Sequence, residues 1–156
     1  MLVARTMREL VFSELMEVYM EGNLEKTENG LTLLEAERDF RQYLRECFFT
    51  VPEAAYYIWV EDGRYVSALR LEPYKDGLLL EALETAPDRR RRGYAGQLIR
   101  AVLKTETRRP IYAHVAKGNT ASLAVHQGCG FRRVLEYAAY IDGSVHDRAC
   151  TMILEE

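Results

Sequence analysis

Between Met7 and Glu21, apolar residues Leu10, Val11, Leu15, Val18 and Tyr19 recur at helical spacing, which predicts a helix with one buried face. Leu2 to Thr6 before it reads as a short first strand. Gly22 to Gly30 is polar and reads as a loop. Thr32 followed by Glu35 is a capping box, in which hydroxyl and carboxylate each satisfy a backbone N–H at a helix start. The helix it opens runs to about Phe49, with Leu33, Phe40, Leu44, Cys47 and Phe48 on or near one face. Beyond Pro52 the pattern changes. Ala55 to Glu61 and Tyr65 to Glu72 are aromatic and β-branched and flank Asp62-Gly63, a hairpin signal. A turn over Pro73 to Gly77 leads to the apolar run Leu78 to Ala86, a buried strand. A third helix is expected from the following glycine-containing stretch to about Thr107. Ile111 to Ala116 predicts a strand, and Asn119 to Gln127 a short helix with Asn119 as N-cap and Gly128 and Gly130 as stops. Arg132 to Ile141 and Ala149 to Leu154 form a last strand pair around Asp142-Gly143.

The resulting order is β-α-α-β-β-β-α-β-α-β-β. Hairpins impose antiparallel pairing, and the two strand-helix-strand units impose parallel pairing near the centre. The expected fold class is α/β: a mixed, mostly antiparallel sheet with parallel central strands and helices on both faces, in one domain spanning 1–156.

Composition narrows the picture. The 156 residues are 48% apolar, enough for a sizeable core. The net charge of −3 argues against a nucleic-acid partner, because a phosphate-neutralising surface makes a domain basic. Cys47, Cys129 and Cys150 are odd in number and widely spaced, so neither a metal site nor a disulfide framework is expected. They read as small buried hydrophobes in a reducing compartment. With no signal-like or membrane-length apolar segment, a cytoplasmic location and no membrane partner are expected.

The chemistry concentrates in Pro87-Asp88-Arg89-Arg90-Arg91-Arg92-Gly93-Tyr94-Ala95-Gly96. Strand, basic glycine-containing turn and helix start are the parts of an anion-binding loop, in which backbone N–H groups and the helix terminus face the anion. Arg90-x-x-Gly93-x-Ala95 resembles the Q/R-x-x-G-x-G/A signature of the GNAT-type N-acetyltransferases. Asn119-Thr-Ala-Ser-Leu-Ala-Val-His126-Gln-Gly-Cys-Gly130-Phe131 resembles the same family's second signature, in the right order and at a plausible separation. One departure matters: His126 stands where the family usually carries tyrosine.

The resemblance implies the acyl-CoA N-acyltransferase fold, acetyl-CoA as co-substrate, and direct acetyl transfer to a primary amine in a ternary complex. It assigns Arg90, Arg91, Arg92, Gly93, Tyr94, Ala95 and Gly96 to the diphosphate, with Tyr94 as a packing residue. Leu83, Glu84 and Thr85 fall along the pantetheine arm, with Asn119 hydrogen-bonding the same arm. His126 lies by the thioester, where a protonated imidazole would serve as the acid for the leaving thiolate or simply cap and pack. The base stays open among Glu81, His114, Glu84, Glu72 and a water chain. Strict alternation puts Glu81 on the face of Leu79, Leu83 and Thr85, with Glu84 on the other unless a bulge intervenes. Glu14, Glu17, Glu21, Glu25, Glu28, Glu35 and Glu37, with Tyr19, Tyr56 and Tyr57, suggest a cationic acceptor, either a small molecule or a protein amine. Asp142 to Asp147 resembles a hairpin of the family's small-molecule enzymes. A homodimer is left open. The competing readings are an acyl-CoA-binding module with little or no turnover, and a basic-loop anion or nucleic-acid binder.

Overall fold

The computed structural model describes residues 1–156. Strand β1 (Leu2–Ala4) and a 3-10 turn at Met7–Glu9 precede α1 (Phe12–Val18), α2 (Met20–Glu28) and α3 (Leu33–Glu46). Next come β2 (Ala55–Glu61), β3 (Arg64–Tyr74) and β4 (Gly77–Thr85), then α4 (Tyr94–Thr105), β5 (Ile111–Ala116) and α5 (Thr120–Gly128). The chain ends in β6 (Arg132–Leu135), the small hairpin β7 (Ala138–Ala139) and β8 (Val145–His146), and β9 (Ala149–Leu154). Seven strands form one sheet in the order β1-β2-β3-β4-β5-β9-β6, and only β4 and β5 pair in parallel. No helix is long and apolar enough to cross a membrane.

The sheet separates two cores. On one face, Phe12, Leu15 and Val18 of α1 and Leu44 of α3 pack with Phe48 on Tyr56, Ile58 and Ala68. On the other, Leu98, Ile99 and Val102 of α4 pack on Leu69, Leu71, Leu78, Leu80 and Ala113. Continuous apolar runs in β3 and β4 follow from burial on both sides. Gly77 opens β4 where a Cβ would lie 1.9 Å from the Pro110 carbonyl oxygen, so only glycine admits that approach.

Several expectations need correction. Gly22 to Gly30 is not a loop but most of α2. Leu24, Glu25, Lys26 and Glu28 are good helix formers but make no apolar stripe, and only Asn23 is buried. A Schellman closure ends it, with Leu31 N–H donating to Lys26 O, Gly30 N–H to Thr27 O, and Gly30 at φ +97°. The helix expected over Met7 to Glu21 is broken into the 3-10 turn, α1 and the first residues of α2. The Thr32–Glu35 capping box is formed as expected. The second strand-helix-strand unit does not place β5 and β6 side by side, because β9 inserts between them. The expected strand Arg132 to Ile141 divides into β6 and β7.

One irregularity governs the site. Ala68 faces Glu84 while Arg70 faces Glu81, so Leu69 spans two residues, Ala82 and Leu83. This is a β-bulge in β4, and Ala82 adopts φ +52°. It inverts the alternation. Glu81 and Glu84 share the α1–α3 face, and Leu83 and Thr85 turn to the other, contrary to strict period two.

Candidate active site

The β4–β5 ladder runs only from Leu78↔Ile111 to Leu80↔Ala113. Both strands continue, so the β5-facing edge of Glu81–Thr85 is left without a strand partner. A cavity of about 710 Å³ opens there. Leu83, Glu84 and Thr85 line it with Arg90, Arg91, Gly93, Tyr94, Ala95, Gly96 and Asn119, which joins all of the expected cofactor residues except Arg92 and His126. A smaller cleft of about 150 Å³ adjoins it, sharing Leu83 and Asn119, and brings together Glu81, His114 and His126.

The loop is built for an anion. Arg91 at φ +59° and Gly93 at φ +81° turn the backbone before α4. The first helical N–H to find an acceptor is that of Gln97, on Gly93 O at 3.0 Å. None of the N–H groups of Arg90 through Gly96 donates within the chain. An uncapped helix start beside free N–H groups carries partial positive charge into the cavity. A Cβ at Gly93 would meet only Gln97 Nε2, at an unstrained 3.9 Å, so its backbone angle is what demands glycine.

The arginines are not equivalent. Arg90 is held by Glu21 of α2, by Glu84 at 3.4 Å, and through Nε by Thr85 O at 3.3 Å. Burial pushes the Glu84 carboxyl up, with Arg90 opposing. Tyr94 Oη donates to Glu61 at 2.5 Å, which ties it into the packing of β2. Asn119 caps α5 by accepting Ser122 N–H at 3.0 Å, leaving its amide NH₂ free as a donor.

His126 is 2% exposed. Its Nδ1–H donates to Ser122 O at 2.8 Å, its ring stands edge-on to Phe131, and Nε2 is buried without a partner. Burial lowers its basicity, with the Ser122 hydrogen bond opposing. The neutral ring therefore presents a lone pair at Nε2, not a proton. His114 stands edge-to-face between Tyr74 and Tyr140, and neither ring nitrogen has a partner. Burial and then Lys75 lower its basicity. Tyr74 Oη donates to Ala139 O, and Tyr140 also stacks on His146, so the β7–β8 hairpin folds back over His114.

Glu81 meets Arg70, with Arg70 Nε and Glu81 Oε1 at 3.4 Å but poorly aligned, so both atoms lack a hydrogen bond. Glu72 is 6% exposed, and its carboxyl is pushed up to about 7 by burial and by the neighbouring Glu81 carboxylate.

Sequence reasoning missed a third cavity, of about 340 Å³, between α2, α3 and the sheet. Tyr19, Phe40, Tyr43 and Tyr56 wall it, with Arg70, Asn23 and Ala82. Its signal was an arginine within the otherwise apolar strand Tyr65 to Leu71, a placement that desolvation makes costly without a partner. Tyr56 Oη donates to Tyr19 Oη at 2.8 Å, and Tyr19 Oη donates to Ala82 O at 2.6 Å, which braces the bulge. The acidic wall is largely engaged elsewhere. Glu14 accepts Tyr65 N–H, Glu21 pairs with Arg90, Glu35 caps α3, and Glu37 pairs with Arg41. Tyr57 belongs to the opposite core.

A strand edge parted from its neighbour, beside an anion-seeking loop and a second cleft of acid–base residues, defines an acyl-CoA-type transferase architecture. A sequence profile of the acetyltransferase (GNAT) family matches residues 13–131. The chain belongs to that family, and its chemistry is acetyl transfer. No curated protein matches it by sequence. Among solved structures it is similar to a protein from Pyrococcus horikoshii OT3 (TM-score 0.72, 15% identity, 99% of this chain and 98% of that one). It is also similar to a ribosomal-protein-alanine N-acetyltransferase from Brucella melitensis (TM-score 0.65, 15% identity, 100% of both chains). The ribosomal-protein-S18-alanine N-acetyltransferase from Escherichia coli aligns at TM-score 0.55, with 18% identity and 76% of each chain covered. At these identities the likeness concerns the fold.

Proposed function

We propose that the protein transfers the acetyl group of acetyl-CoA directly to a primary amine, both substrates being bound together. The observation that carries this reading is the run of unpartnered N–H groups from Arg90 to Gly96 beside the unpaired edge of β4. Acetyl-CoA supplies the thioester. The loop supports its diphosphate, and the edge at Leu83, Glu84 and Thr85 offers main-chain groups to the pantetheine arm. The free Asn119 amide is a donor on the same path. Arg91 is the freer cation, because a diphosphate must compete with Glu21 for Arg90.

Glu81 is our choice for the base, since its Oε1 is buried, lacks a hydrogen bond and borders the cleft. The N–C bond forms and the thioester C–S bond breaks. Of the two ammonium protons lost, one leaves through Glu81 to solvent, and the other ends on the coenzyme sulfur. His126 stands by the cleft with a lone pair at Nε2, so it serves the thiolate only after taking up a proton. His114 and Glu84 are the weaker candidates, one enclosed by tyrosines and the other engaged by Arg90. Amine-dependent release of coenzyme A thiol, with acetylated product identified by mass, tests the reading. Coenzyme binding without thiol release for any amine would favour the non-catalytic module.

A further inference from the structure

The tyrosine-walled cavity holds two buried side chains, Arg70 and Asn23, whose donors lack good acceptors. Arg70 is largely buried, its side chain 12% exposed, and its Nε is buried without a hydrogen-bond partner. Its charge is met by the rings of Tyr43 at 5.0 Å and Phe48 at 5.3 Å, and by the misaligned Glu81. Asn23 is 2% exposed, and its amide NH₂ has only Met16 Sδ at 3.7 Å, a weak acceptor. Buried donors left in this state are costly unless a ligand completes them. Lys26 and Asp39 also line the cavity, and Asp39 pairs with Arg38 at 3.8 Å. The remaining surface is largely aromatic, and Ala82 lines both this cavity and the smaller cleft that holds Glu81.

We propose that this cavity is the acceptor pocket and that it takes a zwitterionic α-amino acid with a large apolar or aromatic side chain. The inference rests on the acetyl-transfer reading above. Arg70, assisted by Asn23, receives the carboxylate, and the forked guanidinium suits that planar group. Arg70 and Glu81 are neighbours, as the ammonium and carboxylate of an α-amino acid are, so carboxylate on Arg70 leaves the amine against Glu81. The rings of Tyr19, Phe40, Tyr43 and Tyr56 take the side chain. A volume of about 340 Å³ suits a small ligand. The cationic acceptor expected from the sequence loses its footing, since most of the glutamates that suggested it are in ion pairs, caps or backbone bonds.

The test uses triads of acceptors with one side chain: free amino acid, its carboxamide and its decarboxylated amine. Coenzyme A release is measured with each, alongside calorimetric titration of coenzyme A. In the native protein, free phenylalanine, tyrosine or leucine should exceed the amide and the amine in kcat/KM by about 10–100-fold, the discrimination worth one charge-assisted pair. Arg70→Lys and Arg70→Met should erase that ratio while coenzyme A still binds. Tyr43→Ala, at the pocket mouth, should raise KM for aromatic acceptors and leave coenzyme affinity unchanged. Preference for amides or decarboxylated amines would overturn the proposal, as would an undiminished ratio in both Arg70 variants. So would intact coenzyme binding with no amino acid acetylated, which would leave the coenzyme site standing. Failure of coenzyme A itself to bind would instead strike the underlying reading.

Discussion

Glu72 links the buried charges to pH. Its carboxyl, pushed up to about 7 by burial and by Glu81, keeps a proton that the unfolded chain sheds near 4.5. The folded state binds more protons between those values, so stability falls as pH rises through that window, by about 1–3 kcal/mol in total. Denaturant melts at pH 5 and pH 8 should show that loss, and Glu72→Gln should flatten it. Glu81→Gln should lower kcat by about 10²–10⁴-fold with coenzyme affinity unchanged, which steady-state kinetics and calorimetry would check. At this scale the sequence was partly legible. Asn119 as a cap could be named from residue type and spacing, and Glu81 stood among the candidate bases that the family resemblance raised. Arg70 stood out only as a charge within a largely apolar strand, and its significance lies in what the fold withholds from it. The tautomer of His126 was equally hidden, since the Ser122 carbonyl one helical turn away sets it.

The element that makes the site is the bulged half of β4. Strand boundaries and hairpins followed from alternation and Asp-Gly, and the period-two rule then failed at Ala82. Nothing in Glu81-Ala82-Leu83 announces a bulge, for alanine is a poor occupant of the left-handed region. The conformation is held from outside by Tyr19 on the Ala82 carbonyl. Ala82→Gly should therefore stabilise the fold by about 1 kcal/mol, and Ala82→Val should destabilise it by a similar amount, read as opposite shifts in the thermal midpoint. Helix α2 was missed for a related reason. It buries little, so it has no stripe to display, yet it carries Glu21 to Arg90 and helps close the aromatic cavity.

Across the whole molecule, the mixed sheet parts where its single parallel pair ends, and everything chemical gathers at that opening. The loop and α4 approach from one side, α2 and α3 from the other, and α5 and the β7–β8 hairpin from the C-terminal half. The architecture was legible because most helices and strands other than α2 announced themselves locally, while insertion of β9 between β5 and β6 depends on long-range pairing that local pattern does not encode. Coenzyme binding should tie these parts together, raising the thermal midpoint in proportion to the logarithm of coenzyme concentration above Kd. The most direct measurement is calorimetric titration of coenzyme A into the native protein and into Gly93→Val, with folding of both checked by circular dichroism. Saturable one-to-one heat, diminished by added salt and largely lost in the variant, is the predicted result. A native protein that gives no heat, or a folded variant that binds as tightly as the native, would contradict the assignment of residues 90–96 to the diphosphate.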